Sequence, residues 1–158
     1  MNEKLIEWND TDIEIGYKGS LDVLLHERFT ENAECVAAKD QSGEFTYAQL
    51  EAASNAVSDI VRAAAEQNVC VLVGNRAERL AYVTGIIKAG RTYVPLGMNT
   101  PVKRNMEIVS NVEPGFILTD EENREDAELI ASECGIPAEK VLIRTMSELE
   151  IGRASCRE

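Results

Sequence analysis

Residues Gly85-Ile86-Ile87-Lys88-Ala89-Gly90-Arg91-Thr92 come within one position of a phosphate-binding loop, with Arg91 standing where that loop carries Lys. Such a loop works only where a strand runs into a helix, because backbone N–H groups and the helix N-terminus must face the phosphates. Here the segment reads as the last turn of a helix running into a strand, and Gly90 reads as its C-cap. His26 is the only histidine, so a Ser-His-Asp or Cys-His device would have to be built on it. It sits among Leu24, Leu25 and Phe29 in an amphipathic stretch, where a packing or surface role fits better. The run Asp120-Glu121-Glu122 suggests a metal site at first sight, but acidic residues at a helix start complement the helix dipole. Cys35, Cys70, Cys134 and Cys156 stand far apart without a Cys-x-x-Cys pair, which argues against zinc, iron–sulfur and thioredoxin chemistry and leaves small buried or partly buried thiols. No residue is assigned a catalytic, cofactor-binding or metal-binding role on these grounds.

The elements that would position these residues follow a regular order. Ser20 caps a predicted helix whose Leu21, Leu24, Leu25 and Phe29 recur at three- and four-residue steps. Cys35 to Lys39 and Glu44-Phe45 read as extended pieces of a hairpin around the turn residues Gln41-Ser42-Gly43. In Phe45-Thr46-Tyr47-Ala48-Gln49-Leu50, Thr46 is the N-cap, Gln49 falls at the third helical position to close a capping box, and Phe45 staples onto Leu50. That helix continues with Ala53, Val57, Ile60, Val61 and Ala64 on one face. Strand Val69–Val73 then precedes a helix capped by Asn75 with Glu78 three residues on. Strand Thr92–Val94 precedes a helix with Thr100 as cap and Pro101 at its first position. Strand Phe116–Leu118 precedes a helix from about Asp120 to Cys134, ended by Gly135 and Pro137, and Val141–Ile143 is a fourth strand. Strand starts near residues 69, 92 and 115 recur every 23 residues. Continuous apolar strands alternating with amphipathic helices predict an α/β fold, a parallel sheet of repeated βα units with flanking helices.

Length and composition bound the rest. At 158 residues the chain fits one domain and buries about 70% of its unfolded surface without a staple. It is 44% hydrophobic and 28% charged, which reads as globular. The net charge of −12 opposes binding to DNA or RNA phosphates, so no nucleic-acid partner is expected. No apolar run approaches the roughly 20 residues that span a bilayer. The opening Met1-Asn2-Glu3-Lys4-Leu5 lacks a secretory pattern, so a cytoplasmic location without membrane attachment is expected.

Taken together, the motifs resemble the adenylate-forming enzymes, specifically the adenylation domains of nonribosomal peptide synthetases. Trp8-Asn9-Asp10-Thr11 is similar to the leader before such domains, and Leu24 to Ala38 to their first helix and strand. Phe45-Thr46-Tyr47-Ala48-Gln49-Leu50 is similar to the first core motif, and Ile87-Lys88-Ala89-Gly90-Arg91-Thr92-Tyr93-Val94-Pro95-Leu96 to the second. Members usually carry Asp after the second motif, where this chain has Gly97, and Arg91 replaces a small residue. The Tyr-Val-Pro-Leu form favours amino-acid-activating domains over acyl-coenzyme A ligases. The resemblance implies residues 1–19 as leader or linker and 20–149 as the N-terminal part of the large subdomain of an AMP-binding adenylation domain. It implies ATP and magnesium as cofactors of the whole enzyme, an amino-acid substrate, and as partners the remaining adenylation domain and a peptidyl carrier domain bearing phosphopantetheine. The family's phosphate loop, catalytic Lys and specificity pocket follow the second motif and are expected beyond this chain, so the chain alone is expected to be inactive. The last residues, Ile151 to Glu158, can be encoded by a nucleotide string resembling a common short-read sequencing adapter, and 150–158 are expected to be a non-native tail. Two alternatives stay open: a non-catalytic α/β interaction module, and an acyl-coenzyme A ligase fragment of the same superfamily.

Overall fold

Helix α1 (Leu21–Glu31) leads into an antiparallel hairpin of β1 (Val36–Asp40) and β2 (Gly43–Thr46), then into α2 (Tyr47–Arg62). The computed structural model describes residues 19–151 together with Lys4, Asp10 and Gly16. Trp8 of the leader and residues 152–158 of the expected tail lie outside the described residues. After α2 come β3 (Asn68–Leu72), α3 (Ala77–Lys88), β4 (Thr92–Pro95), α4 (Val102–Val112) and β5 (Phe116–Thr119). A 3-10 turn (Glu121–Asn123) opens α5 (Arg124–Glu133), and a second (Ala138–Lys140) precedes β6 (Val141–Ile143) and α6 (Met146–Ile151). Strands β3 to β6 form one all-parallel sheet in the order β4-β3-β5-β6. The α/β fold is therefore present, and the strands β3, β4 and β5 start at Asn68, Thr92 and Phe116, a spacing of 24 residues rather than the expected 23. Among the described residues, no helix is long and apolar enough to cross a membrane.

Alternation along the strands separates two cores, since successive side chains leave opposite faces. Val69, Val71, Val73, Phe116 and Leu118 join Val57, Val61 and Ile86 of α2 and α3, with Met146 and Leu149 of α6 closing the cluster. Cys70, Leu72 and Ile117 join Val109 of α4 and Ala127, Ile130 and Ala131 of α5. Both faces being covered explains why the two central strands show no polar side. At the β4 edge, Thr92 and Leu96 donate their N–H groups inward to Gln67 and Val71 carbonyls. The alternate position Pro95 thus faces outward and offers no donor, which blunts that edge against pairing with another chain.

The capping box is complete: Gln49 N–H donates to Thr46 Oγ1 at 3.3 Å and Thr46 N–H donates to Gln49 Oε1 at 2.9 Å. Thr46→Ala should cost about 1 kcal/mol. Because Gln49 also loses its partner, Thr46→Ala and Gln49→Ala should be non-additive in a double-mutant cycle read from denaturant midpoints. Gly90 ends α3 at φ +68°, with its N–H donating to Ile87 O and Arg91 N–H donating to Ile86 O. This is a Schellman stop, and only a residue free of a Cβ penalty enters it cheaply.

Four expectations need correction. The first turn of α3 is not capped by Asn75: Arg76 holds the N-cap position without a side-chain cap, and Asp40 supplies the acceptor from the hairpin. Helix α4 starts at Val102, with Pro101 rather than Thr100 at the N-cap and no side-chain cap bond. Ser20 occupies the N-cap of α1 without a side-chain cap bond, and Leu21 is 53% exposed because this helix buries only its far end, at Phe29. Cys35 is exposed at the foot of the hairpin, whereas Cys70 is buried and Cys134 half-buried. Burial pushes the Cys70 thiol up to about 12, with the nearby Cys134 adding to the shift.

Candidate functional site

In an open parallel sheet, ligands bind outside the carboxyl ends of the strands where successive connections leave in opposite directions. That point falls between β3 and β5, because β4 lies on one side of β3 and β5 on the other. Two strand-to-helix turns meet there, Gly74-Asn75-Arg76 before α3 and Asp120 before α5. The protein's own carboxylates close both. Buried Asp120 accepts from Gly74 N–H through Oδ2 at 2.7 Å, and through Oδ1 from Asn123 N–H at 3.0 Å and Asn123 Nδ2 at 2.6 Å. Asp40 reaches in from the hairpin, accepting from Ala77 N–H at 2.8 Å and from Ser42 N–H at 2.7 Å. Burial alone would raise the Asp40 carboxyl, but the N–H groups of Ala77, Ser42 and Gly43, with Arg76 nearby, outweigh it and hold the group below its ordinary value. The amides and helix end that would cradle a phosphate already hold anions, so these residues do not fit a nucleotide triphosphate.

A cleft of about 340 Å³ opens beside this point, over the ends of β5 and β6. Arg76 pairs with Glu122, and Arg124 binds Glu121 through two bonds at 2.7 and 3.0 Å. The acidic run thus caps a helix and pairs with arginines; among the described residues, no group of three or more His, Cys, Asp or Glu is placed to hold a metal ion. Tyr82, buried on α3, accepts from Arg144 N–H at 3.1 Å, and its hydroxyl lies 3.0 Å from Arg144 O and 3.2 Å from Thr119 O. Burial pushes its phenol up. Thr145 and Glu148 form a second capping box at the start of α6: Thr145 N–H donates to Glu148 Oε2 at 2.8 Å and Glu148 N–H donates to Thr145 Oγ1 at 3.4 Å.

Away from the sheet ends, a buried polar cluster ties α1, α2 and α3 together. Exposed His26 sets Nδ1 2.8 Å from Glu51 Oε1, and Glu51 Oε2 accepts from Lys88 Nζ at 2.5 Å. Lys88, only 8% exposed, also donates to Ser54 Oγ at 2.8 Å and Asn55 Oδ1 at 3.2 Å, and lies 5.2 Å from the Phe29 ring centroid. His26 therefore belongs to a structural network rather than to a nucleophile. Sequence reasoning did not single out Lys88 or Glu51; the available signal was a lysine inside the apolar run Ile86 to Ala89.

Arg91, which stands where a phosphate-binding loop would carry Lys, donates to the carbonyls of Ala64 at 2.7 Å and Arg62 at 3.3 Å, at the end of α2. Arg62 in return donates to Lys88 O at 2.8 Å, so each helix C-terminus receives an arginine from the other's neighbourhood. Gly97, the other departure, is clamped by Asn105, which accepts from its N–H at 3.3 Å and donates to its carbonyl at 2.9 Å. A Cβ at Gly97 would fall 2.1 Å from Thr100 Oγ1, so Thr100 occupies the space a side chain there would need.

Comparison with known proteins places this geometry in context. Residues 25–155 match the family described as AMP-binding enzyme. Over 124 residues the chain is 32% identical to a linear gramicidin synthase of Brevibacillus parabrevis, covering 74% of this chain and 2% of that protein. Over 90 residues it is 32% identical to nonribosomal peptide synthetase dtxS1 of Metarhizium robertsii, covering 55% of this chain and 1% of that protein. The chain thus spans a few hundredths of the length of these curated relatives. Its fold is similar to that of the anthranilate CoA ligase AuaEII in complex with anthranoyl-AMP, with a TM-score of 0.73 at 16% identity over 85% of this chain and 27% of that one.

Proposed function

Because the chain belongs to the family of AMP-binding enzymes, we propose that it is the scaffold portion of an adenylation unit of a nonribosomal peptide synthetase. That unit joins an amino-acid carboxylate to the α-phosphate of ATP, releases pyrophosphate, and passes the aminoacyl group to the phosphopantetheine thiol of a peptidyl carrier domain in the cytoplasm. The observation that carries this reading is the match over residues 25–155, which takes in both core motifs, together with peptide synthetases among the relatives. The structure gives the motifs an architectural part. The first starts α2 through the Thr46 capping box, the second runs from α3 into β4, and Lys88 of the second is bonded to Glu51, which directly follows the first.

At the two strand-to-helix turns, Asp40 and Asp120 already occupy the Ala77 and Gly74 amides that a nucleotide phosphate would need. In this reading the nucleotide and the reacting carboxylate are held by other residues of the adenylation unit than those at these two turns. A chimera tests it: residues 25–149 replace the matching segment of the linear gramicidin synthase, and amino-acid-dependent exchange of pyrophosphate into ATP is measured. Retained exchange supports the proposal. A folded, soluble chimera without exchange overturns it.

A further inference from the structure

A thioether bridges the mouth of the crevice between β3 and β5. Met98 lies in the loop after β4, 42% exposed, and its sulfur accepts a weak bond from Asn123 Nδ2 at 3.6 Å. The same side chain packs on the turn after β3, where a Cβ added to Gly74 would lie 3.6 Å from Met98 Sδ and 4.0 Å from its Cε. Asn123 also donates to Asp120 Oδ1 at 2.6 Å, and Asp120 holds Gly74 N–H through Oδ2. Met98 therefore ties together the turns after β3, β4 and β5, and its sulfur is the weakest acceptor in the group. Of the methionines among the described residues, Met98 is the exposed one: Met106 is half-buried against the α4–α5 core, and Met146 is 2% exposed.

We propose that Met98 is an oxidative modification site: a hydroperoxide converts it to the sulfoxide, and Asn123 holds the new oxygen, fastening the loop after β4 across the crevice. The step is a two-electron oxygen transfer. A sulfur lone pair attacks one peroxide oxygen, the O–O bond breaks, and the proton on the transferred oxygen passes to the departing hydroxide to give water. Sulfur is oxidised and the peroxide is reduced. In a packed core the product would disrupt, because a polar group would be buried without a partner. At Met98 solvent covers the outer side and a donor already stands on the inner side. The side chain is unbranched and free to draw back to ordinary hydrogen-bond length. Oxidation here tightens the fold rather than loosening it. The inference does not rest on the adenylation reading, since Met98 and Asn123 belong to neither core motif.

The test treats the whole chain with a small excess of hydrogen peroxide and maps its peptides by mass spectrometry for the gain of one oxygen. Met98 should be oxidised at least about fivefold faster than Met106 or Met146, following exposure. Thermal unfolding of the oxidised chain should shift upward by about 2 °C, the size of one added hydrogen bond in a chain of this length. The shift should vanish in Met98→Leu, which keeps the volume and leaves exposed Cys35 open to the same oxidant. It should vanish equally in Asn123→Ala, which removes the amide donor but keeps the backbone N–H that bonds Asp120. Met98 is at the surface, so its variant carries the test even if Asn123→Ala fails to fold, with circular dichroism confirming the folded state. Oxidation of Met106 or Met146 as fast as Met98, an unchanged or lowered unfolding temperature of the oxidised chain, or an equal upward shift in a folded variant would each overturn the inference.

Discussion

Replacing Glu51 by Ala is expected to destabilise the chain by about 4 kcal/mol, because it strands the buried Lys88 ammonium without its carboxylate. Ser54 and Asn55 remain as acceptors but carry no charge. Lys88→Met should cost much less, below about 2 kcal/mol, since it removes the buried charge and keeps the volume, while Glu51 keeps His26 and Asn55. The asymmetry between the two variants, read from denaturant midpoints, separates a stranded charge from lost packing. A pH series adds a second check. Burial pushes the Glu51 carboxyl up, but the bonds from Lys88, His26 and Asn55 outweigh it, so its folded value lies below the ordinary one. The associated stability is present above the ordinary glutamate value, about pH 4.3, and is lost as pH falls through the depressed folded value. The gap between wild type and Glu51→Ala should therefore close in acid.

This network shows where sequence reading stops. The capping box at Thr46 is legible because donor and acceptor lie three residues apart, and the sheet is legible because Val69 to Val73 and Phe116 to Leu118 are apolar on both faces. The cap of α3 falls wrongly on Asn75 for the complementary reason: its acceptor, Asp40, lies 37 residues away on the hairpin, and nothing local marks it. Glu78 follows the same logic, since three residues after Asn75 it looks like a capping-box partner, yet it accepts from Met146 N–H across the fold. At Arg91 the chemistry is ambiguous but the position is legible. A guanidinium suits a phosphate and a helix C-terminus equally well, and only the direction of the chain, helix into strand, decides between them. In the crevice, Asp40 and Asp120 accept from the Ala77 and Gly74 amides across 37 and 46 residues, pairings that nothing local in the sequence marks.

Gly85→Ala is expected to cost about 3 kcal/mol, against the roughly 1 kcal/mol that Ala normally gains over Gly inside a helix. Helices α2 and α3 approach so closely at this point that a Cβ would lie 2.6 Å from Ser54 O and 2.6 Å from Val57 Cβ. The first of these is backbone and cannot rotate away, so the helices must separate. Separation would pull Lys88, three residues on, away from Glu51 and Ser54. Gly85→Ala and Glu51→Ala should accordingly be less than additive, because each already loosens the same contact. Thermal unfolding of the two single variants and the double variant measures that coupling, and a stabilised Gly85→Ala would show that the two helices are not held at this distance.

In the proposed function the chain provides the framework of an adenylating unit while its own crevice is closed to the nucleotide. The decisive measurement is amino-acid-dependent exchange of labelled pyrophosphate into ATP by the isolated chain, across a panel of amino acids with magnesium present. Exchange no greater than in a control without protein is expected, since no preorganised donor faces the α-phosphate. Exchange above that control with any amino acid would contradict the proposal, and would mean that the turns held by Asp40 and Asp120 open to admit ATP.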